Sequence, residues 1–284
     1  MSEALPLASL AMLASASLHA VMGLLTKRAE DRLTFRAVMM LAGAVFYLPI
    51  ILLNPFPDWE VWRFLLIGAV LHWIFQMAMI AAYERGDMGL VYPVMRGGAP
   101  ALAAIAALAF LGESLSTWEI LGLAIASLAV LGFGWPEKGG APKLAALGFA
   151  AIAAMMTALY SVNDAAGARA AGNPLVYVGW FLIVTSIPIT ATAAIRRGRA
   201  LPGLIRQELR WGTVAAIFGS GSYGFALYAF SAAPVGPMSA LRETSVVFGA
   251  LLAAWVLKEP FGPRRIALAI LLAFGLVVMR MMST

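Results

Sequence analysis

The sequence contains no cysteine and only two histidines, and only 12% of its 284 residues are charged. Without cysteine there is no disulfide, no thiolate metal ligand and no cysteine nucleophile, and two histidines alone do not make a zinc site. A soluble domain carries about 25% charged residues and is about 45–50% apolar, whereas 62% of this chain is hydrophobic. The composition excludes a water-soluble globular protein, and it predicts a lipid-facing exterior and neither a cofactor nor a bound metal.

Long apolar runs, separated by polar or Pro/Gly-rich segments, fill most of the chain. Each is long enough to span a bilayer as a helix, which takes about 20 residues. No basic residue precedes Leu5, so the first run is expected to remain as a helix and not to act as a signal peptide. The continuous Ala/Leu-rich runs predict an all-α membrane protein, not a barrel of short alternating strands. Its ten transmembrane helices are expected near 5–26, 34–53, 60–83, 89–111, 117–135, 143–163, 173–195, 209–231, 237–257 and 263–283.

Most lysines and arginines lie in the segments that follow the odd-numbered runs. They do not form a patch with interleaved aromatic residues, so the net charge of +6 does not indicate a nucleic-acid partner. The positive-inside rule predicts that these segments are cytoplasmic and that both termini lie outside the cytoplasm. The partners expected are membrane lipid and a small-molecule substrate.

The chain also carries a weak internal repeat. An offset of 146 residues superposes Arg96 on Arg242 and Glu113 on Glu259, two scarce residue types at one spacing. A Gly/Pro-rich break lies between Trp135 and Lys143. We therefore expect a first five-helix repeat at 1–135, a linker at 136–142 and a second repeat at 143–284. Because five is odd, the second repeat enters the membrane from the opposite side, as in many secondary transporters, whose substrate sites lie near the midplane.

These residues resemble a known family. The segments Gly89-Leu-Val-Tyr-Pro93, Leu111-Gly-Glu113 and Leu121-Gly122 resemble the EamA-type half-repeat of the drug/metabolite transporter superfamily, and Leu257-Lys-Glu259-Pro-Phe resembles its second copy. The second copy departs from the pattern, with Lys258 in place of Gly112. The resemblance implies substrate translocation across the bacterial inner membrane by alternating access, without ATP hydrolysis.

Two arginines, Arg96 and Arg242, fall inside apolar runs. A charge at this depth raises the free energy of insertion by about 2.5–3.5 kcal/mol, so each side chain is expected to face a wet cavity. There the two arginines would bind an anionic substrate group or form alternating gates. The alternative is structural, namely snorkelling to headgroups or pairing with a carboxylate such as Glu243.

A polar stripe on the third helix provides further candidates. His72, Gln76 and Tyr83 recur at spacings of four and seven residues and so share one face. Histidine changes charge near neutral pH, which makes His72 a candidate proton carrier. A hydrogen bond between helices is the structural alternative, and coupling to a proton or to a counter-substrate stays open.

Asp164 allows two interpretations: it either lies in the cavity, where it would bind a cation or a proton, or it ends helix six before Gly167. Glu113 and Glu259 are expected to hold turns by accepting hydrogen bonds from the amides of the next helix. The complete set of candidate substrate-binding residues is His19, His72, Gln76, Tyr83, Arg96, Asn163, Asp164, Ser222, Tyr223, Arg242 and Glu243.

The leading hypothesis is a secondary transporter of a small polar or charged metabolite, either amino-acid-like or an organic anion. The alternative is a multidrug-type exporter of aromatic or cationic compounds, which needs an intramembrane carboxylate. A membrane-embedded enzyme would need a clustered acid/base or metal motif, and no such motif stands in the sequence, so no catalytic residue is predicted.

Overall fold

The computed structural model of the protein describes residues 4–85, 91, 94–96, 99–133, 144–256 and 263–281. Within these ranges the chain is helical and no strand occurs, as the composition predicts. A 3₁₀ turn, Gly198–Ala200, joins the seventh helix to the eighth. The helices are α1 (Ala4–Arg28), α2 (Arg32–Leu52), α3 (Trp59–Arg85), α4 (Ala99–Leu111), α5 (Thr117–Phe133), α6 (Leu144–Ala170), α7 (Pro174–Arg197), α8 (Leu201–Ala232), α9 (Val235–Arg242), α10 (Thr244–Val256) and α11 (Pro263–Met281).

Several of these helices are long and apolar enough to cross a membrane. Shorter apolar helices cover Thr117–Gly132 and Ile266–Val278. The all-α membrane class is therefore confirmed, while the number of ten crossings stays a prediction. The six candidate spans are Leu5–Thr26, Arg32–Leu52, Trp59–Arg85, Val94–Leu111, Leu144–Ala170 and the 59-residue stretch Pro174–Ala232, which holds both α7 and α8.

Three helix boundaries differ from the apolar runs. The eighth helix begins at Leu201, where the run predicted 209, because the polar residues in its first turns are good helix formers. The sixth continues to Ala170 because its last turn is rich in alanine, and it stops before Gly172, whose φ is +67°. The ninth run is divided at Glu243 into α9 and α10. The length of an apolar run indicates which residues lie within the membrane. A helix can begin before such a run or continue beyond it.

The chain divides into two compact units that combine segments of both sequence halves. The first unit comprises Met1–Trp73 and Asn163–Ala233, and the second comprises Ile74–Val162 and Pro234–Thr284. Helices α3 and α6 each contribute residues to both. The division into repeats at 1–135 and 143–284 concerns sequence duplication and stays a prediction. The predicted linker 136–142 and the turn residue Glu259 lie outside the described residues.

In the first unit α1 packs against α8, and α2 packs against both α7 and α8. Ser15 on α1 and Ser222 on α8 exchange hydrogen bonds, each hydroxyl donating to the other's carbonyl oxygen, at 2.7 and 2.8 Å. Glycines of α8 face long side chains here: a Cβ on Gly219 would lie 3.3 Å from the Met22 sulfur. Small residues at a helix interface permit this close packing within a membrane.

A polar cluster fixes the turn between α1 and α2. Asp31 caps α2 by accepting a hydrogen bond from the Thr34 amide at 2.8 Å. The buried Glu208 carboxylate accepts from the Glu30 and Asp31 amides, both at 3.0 Å, and Arg197 pairs with Asp31 at 2.8 Å. The N-terminal amides of a helix have no partner within the helix, so these carboxylates stabilise its start.

In the second unit α5 packs against α11, and α4 packs against α9. The approach of α11 to α5 requires Gly275, since a Cβ there would lie 2.8 Å from the backbone of Ala126. The sequence predicts that Glu113 accepts hydrogen bonds from the amides of the next helix. The structure shows a partner in a different helix. The Glu113 carboxylate accepts from the Val235 amide, at the start of α9, at 2.8 Å. The next helix, α5, is capped by its own Glu119, which accepts from the Ser116 amide at 2.8 Å.

Candidate functional site

Each unit buries a group of polar and charged side chains that includes candidates from the sequence. In the first unit the group is centred on Asp164 of α6, whose side chain is 1% exposed. Its Oδ2 lies 2.8 Å from the His72 Nε2 and accepts a hydrogen bond from the Tyr223 hydroxyl at 2.5 Å. Its Oδ1 accepts from the Tyr177 hydroxyl at 3.2 Å and from the Asn163 amide at 3.0 Å. We call these five residues the Asp164 cluster.

The Asp164 cluster draws one or two side chains from each of α3, α6, α7 and α8. Close approach of α3 to Asp164 is possible because residue 68 is glycine: a Cβ there would lie 3.0 Å from the Asp164 Oδ1. The Phe181 ring contacts both the His72 ring and the Tyr223 ring, with centroids 4.6 and 4.4 Å apart. An apolar ring thus packs against the buried polar centre, and burial in a low-dielectric environment strengthens its hydrogen bonds.

The position of Asp164 excludes one of the two sequence interpretations. The residue lies inside α6, which continues to Ala170, so the alternative that Asp164 ends the helix is wrong. Its carboxylate does not cap the helix and is bonded sideways by α3, α7 and α8. Because each oxygen has two neighbouring nitrogen or hydroxyl groups, the carboxylate is saturated with hydrogen bonds.

The second unit buries a different group, which we call the Arg96 pair. The Arg96 guanidinium lies 3.4 Å from the Glu243 Oε1, and both side chains are less than one tenth exposed. Charge-assisted hydrogen bonds are usually about 2.7–2.9 Å long, so this contact is long. Arg242, the residue before Glu243, is also buried. The structural alternative for Arg96, a partner carboxylate, is therefore observed, and the partner is Glu243.

Glu243 occupies the break between α9 and α10. Its amide bonds to the Ala240 carbonyl, a spacing of three residues instead of four, at 3.0 Å. Its Oε2 is buried and has no hydrogen-bond donor among the residues that the structure describes. A buried carboxylate oxygen without a donor is unfavourable by about 1–3 kcal/mol. The site therefore has one acceptor to offer to a ligand, beside two guanidinium groups.

The remaining candidates are Ser222, His19, Gln76 and Tyr83. Ser222 is bonded to Ser15 at the interface between α1 and α8, and His19 lies on α1, half-buried. The stripe on α3 is divided, because His72 belongs to the first unit and the buried Gln76 to the second. Tyr83 packs against an alanine-rich core that also belongs to the second unit.

Sequence reasoning missed Tyr177, which is fully buried and donates to Asp164. A tyrosine near the start of an apolar helix has the pattern of an interfacial residue, and so its position along the chain gave no signal. The one signal is indirect: the ring fills the space over Gly167, where a Cβ would lie 2.3 Å from it. Among the described residues, no three His, Asp or Glu side chains lie together as metal ligands.

Comparisons with known proteins agree with this architecture. A solved structure titled "Crystal structure of protein" has a TM-score of 0.79 and 16% identity, with 97% of this chain and 98% of that chain covered. At this identity the likeness shows the fold alone. No curated protein matches the sequence. The EamA-like transporter family matches residues 6–135 and 144–281, which is nearly the whole chain in two repeats. The chain therefore belongs to the EamA-like transporter family and is an integral, multi-pass membrane protein.

Proposed function

We propose that the protein is a secondary transporter that moves a small amino-acid-like or organic-anionic metabolite across the bacterial inner membrane by alternating access. Membership of a transporter family supports a small-molecule substrate and transport as opposed to catalysis. Two repeats entering the membrane from opposite sides suit alternating access. The distribution of Lys and Arg supports an orientation with both termini outside the cytoplasm.

The substrate class rests on the Arg96 pair and its surroundings. Arg96 and Arg242 are two buried cations, and Glu243 is the one buried acidic side chain among the described residues of the second unit. Their sum is a positive charge, which favours a ligand with an anionic group. The open Glu243 Oε2 adds an acceptor for an ammonium group. A carboxylate on the guanidinium groups and an ammonium on Glu243 together describe an amino-acid-like ligand.

The Asp164 cluster argues against the alternative of a cation exporter. A cationic drug would need a carboxylate that is free to accept it, and Asp164 already accepts hydrogen bonds at both oxygens. Glu243 has a free oxygen but lies beside two arginines, which repel a ligand carrying only positive charge. We assign Arg96, Arg242 and Glu243 to the substrate, and Ser222 to helix packing.

A thermal-shift experiment on the detergent-purified protein tests the substrate class. The ligands are L-alanine, L-glutamate, succinate, methylphosphonate and tetraphenylphosphonium. A ligand at one hundred times its Kd stabilises the folded state by about 2.7 kcal/mol. We expect stabilisation by the amino acids or succinate and none by tetraphenylphosphonium. Stabilisation by tetraphenylphosphonium alone would overturn the proposal in favour of the exporter.

A matched pair of variants locates the site. Arg96→Gln is expected to abolish the stabilisation by amino acids. Arg264→Gln is the control, because Arg264 is an arginine of the same unit that donates to the Gly132 carbonyl at 2.8 Å, at the start of α11. The control is expected to respond to ligands as the parent protein does. Equal loss of response in both variants would mean that the effect of Arg96→Gln is not local.

A further inference from the structure

His72 is the one member of the Asp164 cluster whose charge ordinarily changes between pH 5 and 8. The other groups facing Asp164 are the Tyr177 and Tyr223 hydroxyls and the Asn163 amide. Tyrosine hydroxyls stay protonated over that pH range, and an amide does not titrate. The cluster therefore pairs a carboxylate with an imidazole, the side chain in it that can carry an exchangeable proton.

The hydrogen bonds of the cluster tolerate both states of His72. As an imidazolium, His72 donates from Nε2 to the Asp164 Oδ2, and the pair has no net charge. After the proton leaves, the neutral ring still donates from Nε2 in the tautomer that carries its hydrogen there. In that state the Asp164 charge is held by the same four donors. The carboxylate therefore stays paired whether or not the proton is present.

Exposure gives the proton a route. The His72 side chain is 10% exposed, whereas that of Asp164 is 1% exposed. Phe181 and Tyr223 hold the His72 ring at a fixed angle, edge-on to both rings. The imidazole is therefore the more accessible of the two groups, and the carboxylate is shielded behind it.

We propose that His72 and Asp164 form a proton-carrying site that couples substrate movement to proton movement. The proton binds the imidazole from one aqueous phase, is stabilised there by the Asp164 carboxylate, and is released to the other phase. No covalent bond other than N–H forms or breaks. The proposal rests on the proposed function, since it makes the proton the co-substrate of the transport cycle.

The test uses the full chain in proteoliposomes that contain the pH-sensitive dye pyranine. The probe is a ¹⁴C-labelled mixture of L-alanine, L-glutamate and L-phenylalanine. Counterflow, the exchange of labelled for unlabelled amino acid, measures substrate movement without net proton movement. Uptake driven by a gradient of one pH unit measures coupling, and one coupled proton sets an accumulation limit of about tenfold. In the parent protein we expect counterflow, gradient-driven uptake and a matching pyranine signal.

Three variants separate coupling from folding. His72→Gln is expected to keep counterflow and to lose both gradient-driven uptake and the pyranine signal. His19→Gln removes the only other histidine of the chain, and whatever its rate, its uptake is expected to keep its dependence on the gradient. Thr185→Val controls for loss of a buried hydroxyl in the same unit, since Thr185 donates to the Phe181 carbonyl of its own helix. Gradient-driven uptake that survives in His72→Gln would overturn the proton site.

A second measurement does not depend on the substrate. With two histidines in the chain, ring ¹⁵N resonances of the labelled protein divide into two sets, which His19→Gln assigns. We expect the His72 set to report a charged ring and a neutral ring at different pH values. A His72 ring that keeps one charge state throughout would overturn the proton site. Absence of counterflow in the parent protein would instead count against the amino-acid substrate class.

Discussion

Two of the buried carboxylates, Asp164 and Glu243, differ in how completely they are bonded. Asp164 has two hydrogen-bonding groups at each oxygen, drawn from four helices. Glu243 has one contact of 3.4 Å at Oε1 and no donor at Oε2 among the described residues. A saturated carboxylate leaves no room for a ligand larger than a proton. A partly bonded carboxylate beside two arginines can exchange its partner for a substrate.

The comparison also explains why the two groups use different cations. Arginine remains charged at all physiological pH values and binds carboxylates through two parallel hydrogen bonds. This suits Arg96 to an anionic substrate. Histidine changes charge near neutral pH, which suits His72 to a proton. Asp164 and Glu243 thus each have the partner that the proposed role requires.

The largest expected effect on stability is that of Asp164→Ala. This change leaves four neighbouring polar groups without their acceptor. Removing one partner of a buried charged pair destabilises a protein by about 3–5 kcal/mol. We expect a correspondingly large fall in Tm, measured in detergent by intrinsic fluorescence. Glu243→Gln should lower stability much less, because Glu243 has one long contact to lose. An equal fall in Tm in the two variants would contradict the difference in bonding between the two carboxylates.

Transport is expected to respond most to the arginines. Arg96→Ala and Arg242→Ala each remove a buried cation. Truncation of a buried, hydrogen-bonded charge weakens binding by about 2–5 kcal/mol, which is about 30-fold or more. We expect counterflow of the labelled amino acids to fall below detection in both variants. Arg96→Ala also removes the ion-pair partner of Glu243. The amount of folded protein must therefore be quantified by size-exclusion chromatography. Robust counterflow in either variant would remove that arginine from the substrate site.

The next effect concerns the space that α3 leaves for Asp164. In Gly68→Ala the new Cβ would lie 3.0 Å from the Asp164 Oδ1 and 3.1 Å from the Asn163 Nδ2. Overpacking of this kind destabilises by about 1–3 kcal/mol. Gly23→Ala is the matched control, since no atom lies within 4 Å of its Cβ. There an alanine is expected to be neutral or to stabilise by up to about 1 kcal/mol. The Tm of Gly68→Ala should therefore fall, while the Tm of Gly23→Ala should stay unchanged or rise.

The smallest effect is expected for Tyr177→Phe. The change removes one donor to Asp164, at 3.2 Å, and leaves the other three groups in place. One hydrogen bond contributes about 0.5–1.5 kcal/mol, so Tm should fall slightly. Because a tyrosine hydroxyl is ordinarily protonated near neutral pH, gradient-driven uptake should keep its pH dependence. Uptake that no longer depends on the pH gradient in this variant would assign the proton site to Tyr177 instead of His72.

Much of the fold could be predicted from the sequence, because apolar length and Pro/Gly breaks act locally. The ends of the helices could not be predicted in this way. Asp164 seemed able to end α6, but in the fold its carboxylate bonds to α3, α7 and α8 instead of to its own backbone. The alanine-rich turn after Asp164 then continues the helix to Ala170.

The site could be predicted by residue type but not by grouping. Rare polar or charged residues in or directly beside apolar runs identified His72, Arg96 and Asp164, since a buried charge in a membrane needs a reason. Their partners follow from packing between distant segments. Glu113, expected to cap the next helix, reaches the Val235 amide 122 positions away along the chain. Tyr177 gave no signal because an apolar helix accepts a tyrosine near its start.

The most direct test of the division between the two groups compares His72→Gln with Arg96→Gln in one proteoliposome experiment. Counterflow and gradient-driven uptake of the labelled amino acids are measured on the same preparations, normalised to folded protein. We predict that His72→Gln keeps counterflow and loses gradient-driven uptake, while Arg96→Gln loses both. If the two variants lose both activities to the same extent, the two groups do not have separate roles and the account is contradicted.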